Sequence, residues 1–359
     1  MRNQQLGVLQ QGSQSNEANG YLTALDTALN ADPNNIQLLI LRGSASQSMG
    51  TTGAQQSLLY FKRILALDPE NPVAHHYLAH SYEMLNDIPR AMEHARAFLR
   101  SAPALPHAHH MYGHELLRSG QIKSAISQFE KADQLEEASF KTNPKARTQD
   151  WHYRHNLNLL ATAYRIANQP SKAETVLQQL AKLPTVSEVD EYYAVQLPAF
   201  YLLRGDFDGA RRSIHSLPPT HSAVGNTLRH AIRGSSEAAL SQWRLAEIDL
   251  SAARAYFREV PLGWHPFLQP WITTLKTQLM LDRDSHEAVS EALLSASRNC
   301  LQSPGTDEWA DSVLHLEYLA GIGCRNHLRA VVLSIHKNLQ TLGASTPETA
   351  RAARHGSCK

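Results

Sequence analysis

"HHYLAHSYEMLNDIPRAMEHARAFLRSAP" (residues 75–103), set above "HHMYGHELLRSGQIKSAISQFEKADQLEE" (residues 109–137), decides the fold. His75 falls over His109, His76 over His110, His80 over His114 and Ala91 over Ala125, each pair 34 residues apart. Pro69 and Pro103 stand at the same offset. Within each copy the packing positions recur at i, i+3, i+4 and i+7 (His75, Leu78, Ala79, Tyr82), the period of a helix and not of a strand. A unit of this length is a helical hairpin whose apolar face only a neighbouring hairpin can bury, so the units must stack.

Further copies follow the same pattern. Leu157, Leu160, Ala161, Tyr164, Ala173 and Leu177 make a third. Leu197, Tyr201, Ala210 and Ile214 make a fourth, with "RGDFDGA" (204–210) as its tight turn. Upstream, "LDTALNADP" (25–33) and "YFKRILALDP" (60–69) read as second helices of earlier hairpins. These positions resemble the tetratricopeptide repeat, W-x2-L-G-x2-Y, then A-x3-F, then P. His75, Leu78, Ala79, Tyr82, Ala91, Ala95 and Pro103 carry it in the first copy, and His109, Tyr112, Gly113, Leu116, Ala125 and Phe129 in the second. Histidine replaces the signature Trp in both.

The resemblance runs over 20–218 and loosens beyond. It implies an all-α, right-handed α-solenoid of about six to eight stacked hairpins. We expect a flexible segment at 1–19, the array at 20–218, degenerate helical repeats with a capping helix at 219–342, and a flexible tail at 343–359. Helices are expected at 235–258, 270–282, 284–301, 307–320 and 325–342.

Composition narrows the function. Lys and Arg (34) nearly cancel Asp and Glu (33), which argues against a general nucleic-acid binder. The three cysteines are odd in number and lack CxxC spacing, against a disulfide framework or zinc ribbon. No leader-like or membrane-length apolar run is seen, so a cytoplasmic protein without membrane insertion is expected. "GIGC" (321–324) follows no strand, and no Walker A, GxSxG or kinase motif occurs.

The 19 histidines are the unusual feature. At about 100° per residue, Tyr112, Gly113 and Leu116 gather around His109, while His107, His110 and His114 share the other side. His76 and His80 repeat this stripe one hairpin earlier. His75 and His109 are therefore expected on the packed face, bonded between helices. The tetratricopeptide resemblance implies that the stripe lines a concave groove, where truncating His76, His80, His110 or His114 should leave stability within about 0.5 kcal/mol.

"AHHYLAH" (74–80), "AHHMYGH" (108–114) and "DWHYRHNLNLLA" (150–161) are also similar to histidine-rich segments of the tetratricopeptide repeat protein 38 family, over 71–165. That resemblance implies that the clusters belong together.

Two readings stay open. In the first, a non-enzymatic scaffold holds a peptide or partner protein on His76, His80, Glu83, His107, His110, His114, Arg118 and Asn158, with no cofactor. In the second, a divalent transition metal is held by a set drawn from His76, His80, His110, His114, Asp150, His152 and His155, with metal-dependent hydrolysis as an optional extension of that reading. The i,i+4 pairs His76/His80 and His110/His114 have metal-ligand spacing. No HExxH is formed, since His114-Glu115 is followed by Leu116, Leu117 and Arg118.

Overall fold

A computed structural model describes residues 15–301 and 305–344. In chain order its helices are α1 Ser15–Ala31, α2 Ile36–Gln47, α3 Gly50–Leu67, α4 Pro72–Met84, α5 Ile88–Ser101, α6 Pro106–Arg118, α7 Ile122–Phe140 and α8 Ala146–Gln149. There follow α9 Trp151–Ile166, α10 Pro170–Ala181, α11 Glu188–Ala194, α12 Gln196–Leu203, α13 Phe207–Ser216, α14 Ala223–Ala239 and α15 Trp243–Phe257. The last four are α16 His265–Met280, α17 His286–Asn299, α18 Thr306–Arg325 and α19 Arg329–Thr341. No strand occurs among the described residues. None of the helices is long and apolar enough to cross a membrane. α1 begins inside the segment expected to be flexible; residues 1–14 and the tail from 345 lie outside the described residues.

The chain forms two compact units. The first takes in the chain to Ser139 with 261–263 and Pro304–Thr306; the second takes in Phe140–Val260, Trp264–Ser303 and the chain from Asp307. The division falls inside the stretch read as one array. The first unit holds the hairpins α2/α3, α4/α5 and α6/α7, and the second holds α9/α10, α11–α12/α13, α14/α15, α16/α17 and α18/α19.

One backbone device turns most of these hairpins. Asn86 (φ 57°), Gly120 (φ 76°), Asn168 (φ 56°), Gly205 (φ 78°), Ser241 (φ 59°) and His327 (φ 58°) are left-handed. After each, an amide reaches back across the turn: Asp87 N–H to Tyr82 O (2.8 Å), Gln121 to Leu116 (2.8 Å), Gln169 to Tyr164 (2.8 Å), Asp206 to Tyr201 (3.0 Å), Gln242 to Glu237 (2.8 Å) and Leu328 to Gly323 (2.7 Å). This six-to-one bond satisfies a carbonyl the helix end would leave bare. The turn at Gly205 lies where "RGDFDGA" placed it. The turn at Ser241 falls within the single helix expected at 235–258 and separates α14 from α15; its left-handed residue is a serine, not the Gly or Asn that marks such a turn in the sequence.

The next helix starts on a proline or a cap. Pro72, Pro106 and Pro170 open α4, α6 and α10, where a missing N–H costs nothing. Asn71 and Asp87 cap α4 and α5 through side-chain oxygens on Ala74 and Arg90 N–H.

In the first unit the helices of each hairpin meet over one small residue. Phe61, Ala95 and Phe129 stand 34 residues apart on the second helices. Gly43 lies against Phe61, Ala79 shares a core cluster with Ala95, and Gly113 lies against Phe129. A Cβ on Gly43 would sit 2.7 Å from Phe61 Cζ, and one on Gly113 would sit 2.6 Å from Phe129 Cε1. Both rings are fully buried. The backbones approach because glycine leaves the space that the ring fills.

Candidate functional site

The histidines at the signature Trp position are struts. His75 Nε2–H donates to the Pro69 carbonyl (3.0 Å), and its Nδ1 lies 2.9 Å from His94 Nδ1 on α5. His109 repeats this one hairpin on, with the Pro103 carbonyl at 3.0 Å and the Gln128 amide on α7 at 2.8 Å. His230 meets Asp249 on α15 at 2.7 Å, across the same 19-residue spacing. Each ring ties the first helix of a hairpin to the second. Burial, with His75 and Lys62 adding to it, drives His94 down to about 4, so it is neutral at ordinary pH. The spacing of 19 was a signal available in the sequence, and the sequence reading missed it.

The stripe forms a closed circuit in the first unit. Ring centroids run His80–His76 4.8 Å, His76–His107 4.8 Å, His107–His110 5.6 Å, His110–His114 4.4 Å and His114–His80 6.5 Å. Two links are short: His76 Nε2 to His107 Nε2, and His110 Nε2 to His114 Nε2, each 2.8 Å. Glu83 closes the circuit, 3.6 Å from His80 Nδ1, 3.7 Å from His114 Nδ1 and 3.6 Å from Arg118 Nη1. The Thr306 hydroxyl also donates to it. Burial opposes ionisation of Glu83, but His114 and His80 overcome it and hold the carboxyl well below its usual range. Beside them Glu115 goes the other way. Burial and the Glu83 charge push its carboxyl well up, against Arg118. Two neighbouring buried carboxyls are thus shifted in opposite directions.

The exposure expected of the stripe is corrected in part. His76, His80 and His107 are half-buried, but Glu83, His110 and His114 are buried, and His109 is only half-buried. The wheel assumed one packed face, whereas α6 buries Ala108, Met111, Glu115 and Leu117 as well as Gly113 and Leu116. A first helix covered by its own hairpin partner and by the preceding hairpin has little free arc. His110→Ala is therefore expected to cost about 1–3 kcal/mol, because it strips a hydrogen-bond partner from a buried ring. It should cost more than His109→Ala. Urea unfolding of both metal-free variants checks the order; equal losses would mean that the buried pair is wet.

The remaining expected residues lie in the second unit. Asp150 is the N-cap of α9: its carboxylate accepts from His152 N–H at 2.9 Å and lies 3.3 Å from His152 Nδ1. Burial raises this carboxyl, and His152 more than reverses the effect. Trp151 packs on His152, with ring centroids 3.9 Å apart. Asn158 is buried on the same helix. His155 is buried, its Nδ1 2.9 Å from Asp307 Oδ1 and 3.2 Å from Tyr193 Oη. Arg154, fully buried, pairs through Nε with Asp190 Oδ1 at 2.7 Å and donates to the Pro184 carbonyl at 2.5 Å. Neither Asp190, Tyr193 nor Asp307 was singled out from sequence, since their helices bear no recognisable repeat signature.

Asp311 gives the second unit a pH signature. Burial drives its carboxyl to about 8; Tyr192 pulls down, while Asp307 and Glu308 push up. The sign follows from linkage: the folded state holds this proton more tightly than the unfolded chain. Its contribution is complete below the ordinary carboxylate pKa of about 4 and is withdrawn as pH rises through about 8. Asp311→Asn should flatten that fall, which amounts to at most about 1.4 kcal/mol per pH unit. Subtracting the variant's stability–pH curve from wild type removes the opposite trend of His315, which burial holds at about 4. Parallel curves would show that Asp311 is ionised in the folded protein.

No protein-family model matches the chain, and no curated protein matches it. Solved structures do. The human IFIT1 dimer with m7Gppp-AAAA is 14% identical with a TM-score of 0.50, over 94% of this chain and 76% of that one. A tetratricopeptide repeat protein from Parabacteroides merdae is 16% identical with a TM-score of 0.47, over 72% and 91%. At these identities the likeness concerns fold. The repeated hairpins and their common turn make an all-α helical-repeat fold, in keeping with the likeness to IFIT1.

Proposed function

We propose that the protein is a non-enzymatic interaction scaffold of the cytoplasm, holding a peptide or partner-protein segment on the half-exposed face of the first unit. One observation carries this reading. His76, His80 and His107, from two successive hairpins, are gathered side by side at the surface, with the ionised Glu83 buried behind them. Such a face offers donors and acceptors at once, because each neutral imidazole has one of each. IFIT1 was solved with m7Gppp-AAAA. Here the near-cancelling charge, 34 basic against 33 acidic residues, favours a protein ligand.

Capture from lysate in chelator-containing buffer tests it, comparing wild type with His76→Ala/His107→Ala. The double variant should lose a protein species that wild type retains while melting normally. Equal capture by both, or recovery of RNA alone, would overturn the assignment.

A further inference from the structure

The geometry points to a transition-metal site built from His76, His80 and His107. One ring nitrogen from each falls in a group whose ligand atoms all lie within 4.8 Å of one another. His76 and His80 stand one turn apart on α4, the spacing that aims two imidazoles at one ion. His107 reaches the same point as the second residue of α6, fixed by Pro106 at the helix start. The sequence reading placed His107 among partner contacts and left it out of its metal set. The structure joins it to the two α4 ligands and puts Asp150, His152 and His155 in the other compact unit.

The donor set selects the ion. Three imidazoles suit zinc, copper, nickel or cobalt, and are poor ligands for calcium or magnesium, which take oxygen. A zinc–imidazole bond of about 2.0–2.1 Å in tetrahedral geometry sets ligand nitrogens a little over 3 Å apart. His76 Nε2 and His107 Nε2, 2.8 Å apart, need to open by only about half an ångström. Glu83, 3.6 Å from His80 Nδ1, supplies the carboxylate that commonly stands behind a ligating histidine. Its negative charge lowers the cost of bringing a dication to a half-buried place. Three protein ligands leave a fourth position for water or an incoming side chain.

The site shares its face with the partner reading but does not depend on it, since metal is titrated without partner and capture is run in chelator. The experiment uses the full-length, untagged, chelator-stripped chain. Zn²⁺ is titrated by calorimetry, and Co²⁺ by visible absorption. We expect one saturable equivalent, the intense blue tetrahedral Co²⁺ spectrum, and affinity that drops as pH is lowered from about 7.5 to about 5.5, where protons compete for the imidazoles. His76→Gln, His80→Gln and His107→Gln should each weaken Zn²⁺ at least tenfold. The exposed His286→Gln should leave it unchanged. Circular dichroism confirms that each variant is folded. Non-saturating binding, an octahedral Co²⁺ spectrum, or full affinity in any one of the three variants would overturn the site.

Discussion

Asp190→Ala is expected to lower stability by about 3–5 kcal/mol, the largest loss we foresee from removing one polar group. Arg154 is fully buried and its guanidinium points at that carboxylate, 2.7 Å away. Burial lowers the Arg154 pKa, with Asp190 opposing, but a guanidinium starts too high to shed its proton. Without Asp190 the charge stays and its partner is gone. The loss spreads, because Asp190 Oδ2 also accepts from Val186 N–H at 3.0 Å and Arg154 holds the Pro184 carbonyl. The pair therefore fixes the loop that leads into α11. Asp190→Asn keeps the volume and one acceptor and should cost less. Arg154→Met/Asp190→Leu removes both charges and should recover much of the loss. Urea unfolding followed by far-ultraviolet dichroism measures all three; a loss under about 1 kcal/mol in Asp190→Ala would show water reaching the pair.

Gly113→Ala is the second large effect, and its sign runs against helix propensity. Alanine normally gains about 0.5–1 kcal/mol over glycine inside a helix. Gly20→Ala on α1, where a new Cβ meets nothing within 4 Å, should show that gain. At Gly113 the same methyl lands 2.6 Å from Phe129 Cε1, and the ring, fully buried, has nowhere to retreat. A net loss of about 1–3 kcal/mol is expected. Phe129→Leu in the same chain should return part of it by making room. Additive losses in the double variant would mean that the ring and the methyl do not compete.

What the sequence showed of the fold was what its period could show. The 34-residue offset of His75/His109 and Ala91/Ala125 located α4 to α7 correctly, because small residues at fixed intervals are a direct consequence of close helix approach. Beyond Ala210 the intervals change, and the left-handed turn falls on Ser241 and His327, residues that announce no turn. The helix was read through at Ser241, and the break before the last helix was placed at 321–324 instead of at His327. The candidate site was legible as a cluster and not as an arrangement. A wheel ranks positions around one helix; it cannot say how many neighbours cover that helix. Hence His110 and His114 looked exposed and are buried, whereas His107, at the helix start, stays half in water. The pairing of His107 with His76 joins residues 31 apart, and no helical period contains that interval.

The three hairpins of the first unit share a plan, yet they are not interchangeable parts. Second helices offer Phe61, Ala95 and Phe129 at one register; first helices answer with Gly43, Ala79 and Gly113. Moving α5 into the place of α7 would set Ala95 over Gly113 and leave a void the size of a benzene ring. Moving α7 into the place of α5 would drive Phe129 into the methyl of Ala79. By the volume at a single position α5 is keyed to α4, whereas α3 and α7 both answer a glycine. An array that moved α5 alone would inherit the repeat's length and turns and still pack badly, so shuffling the middle hairpin must exchange it whole.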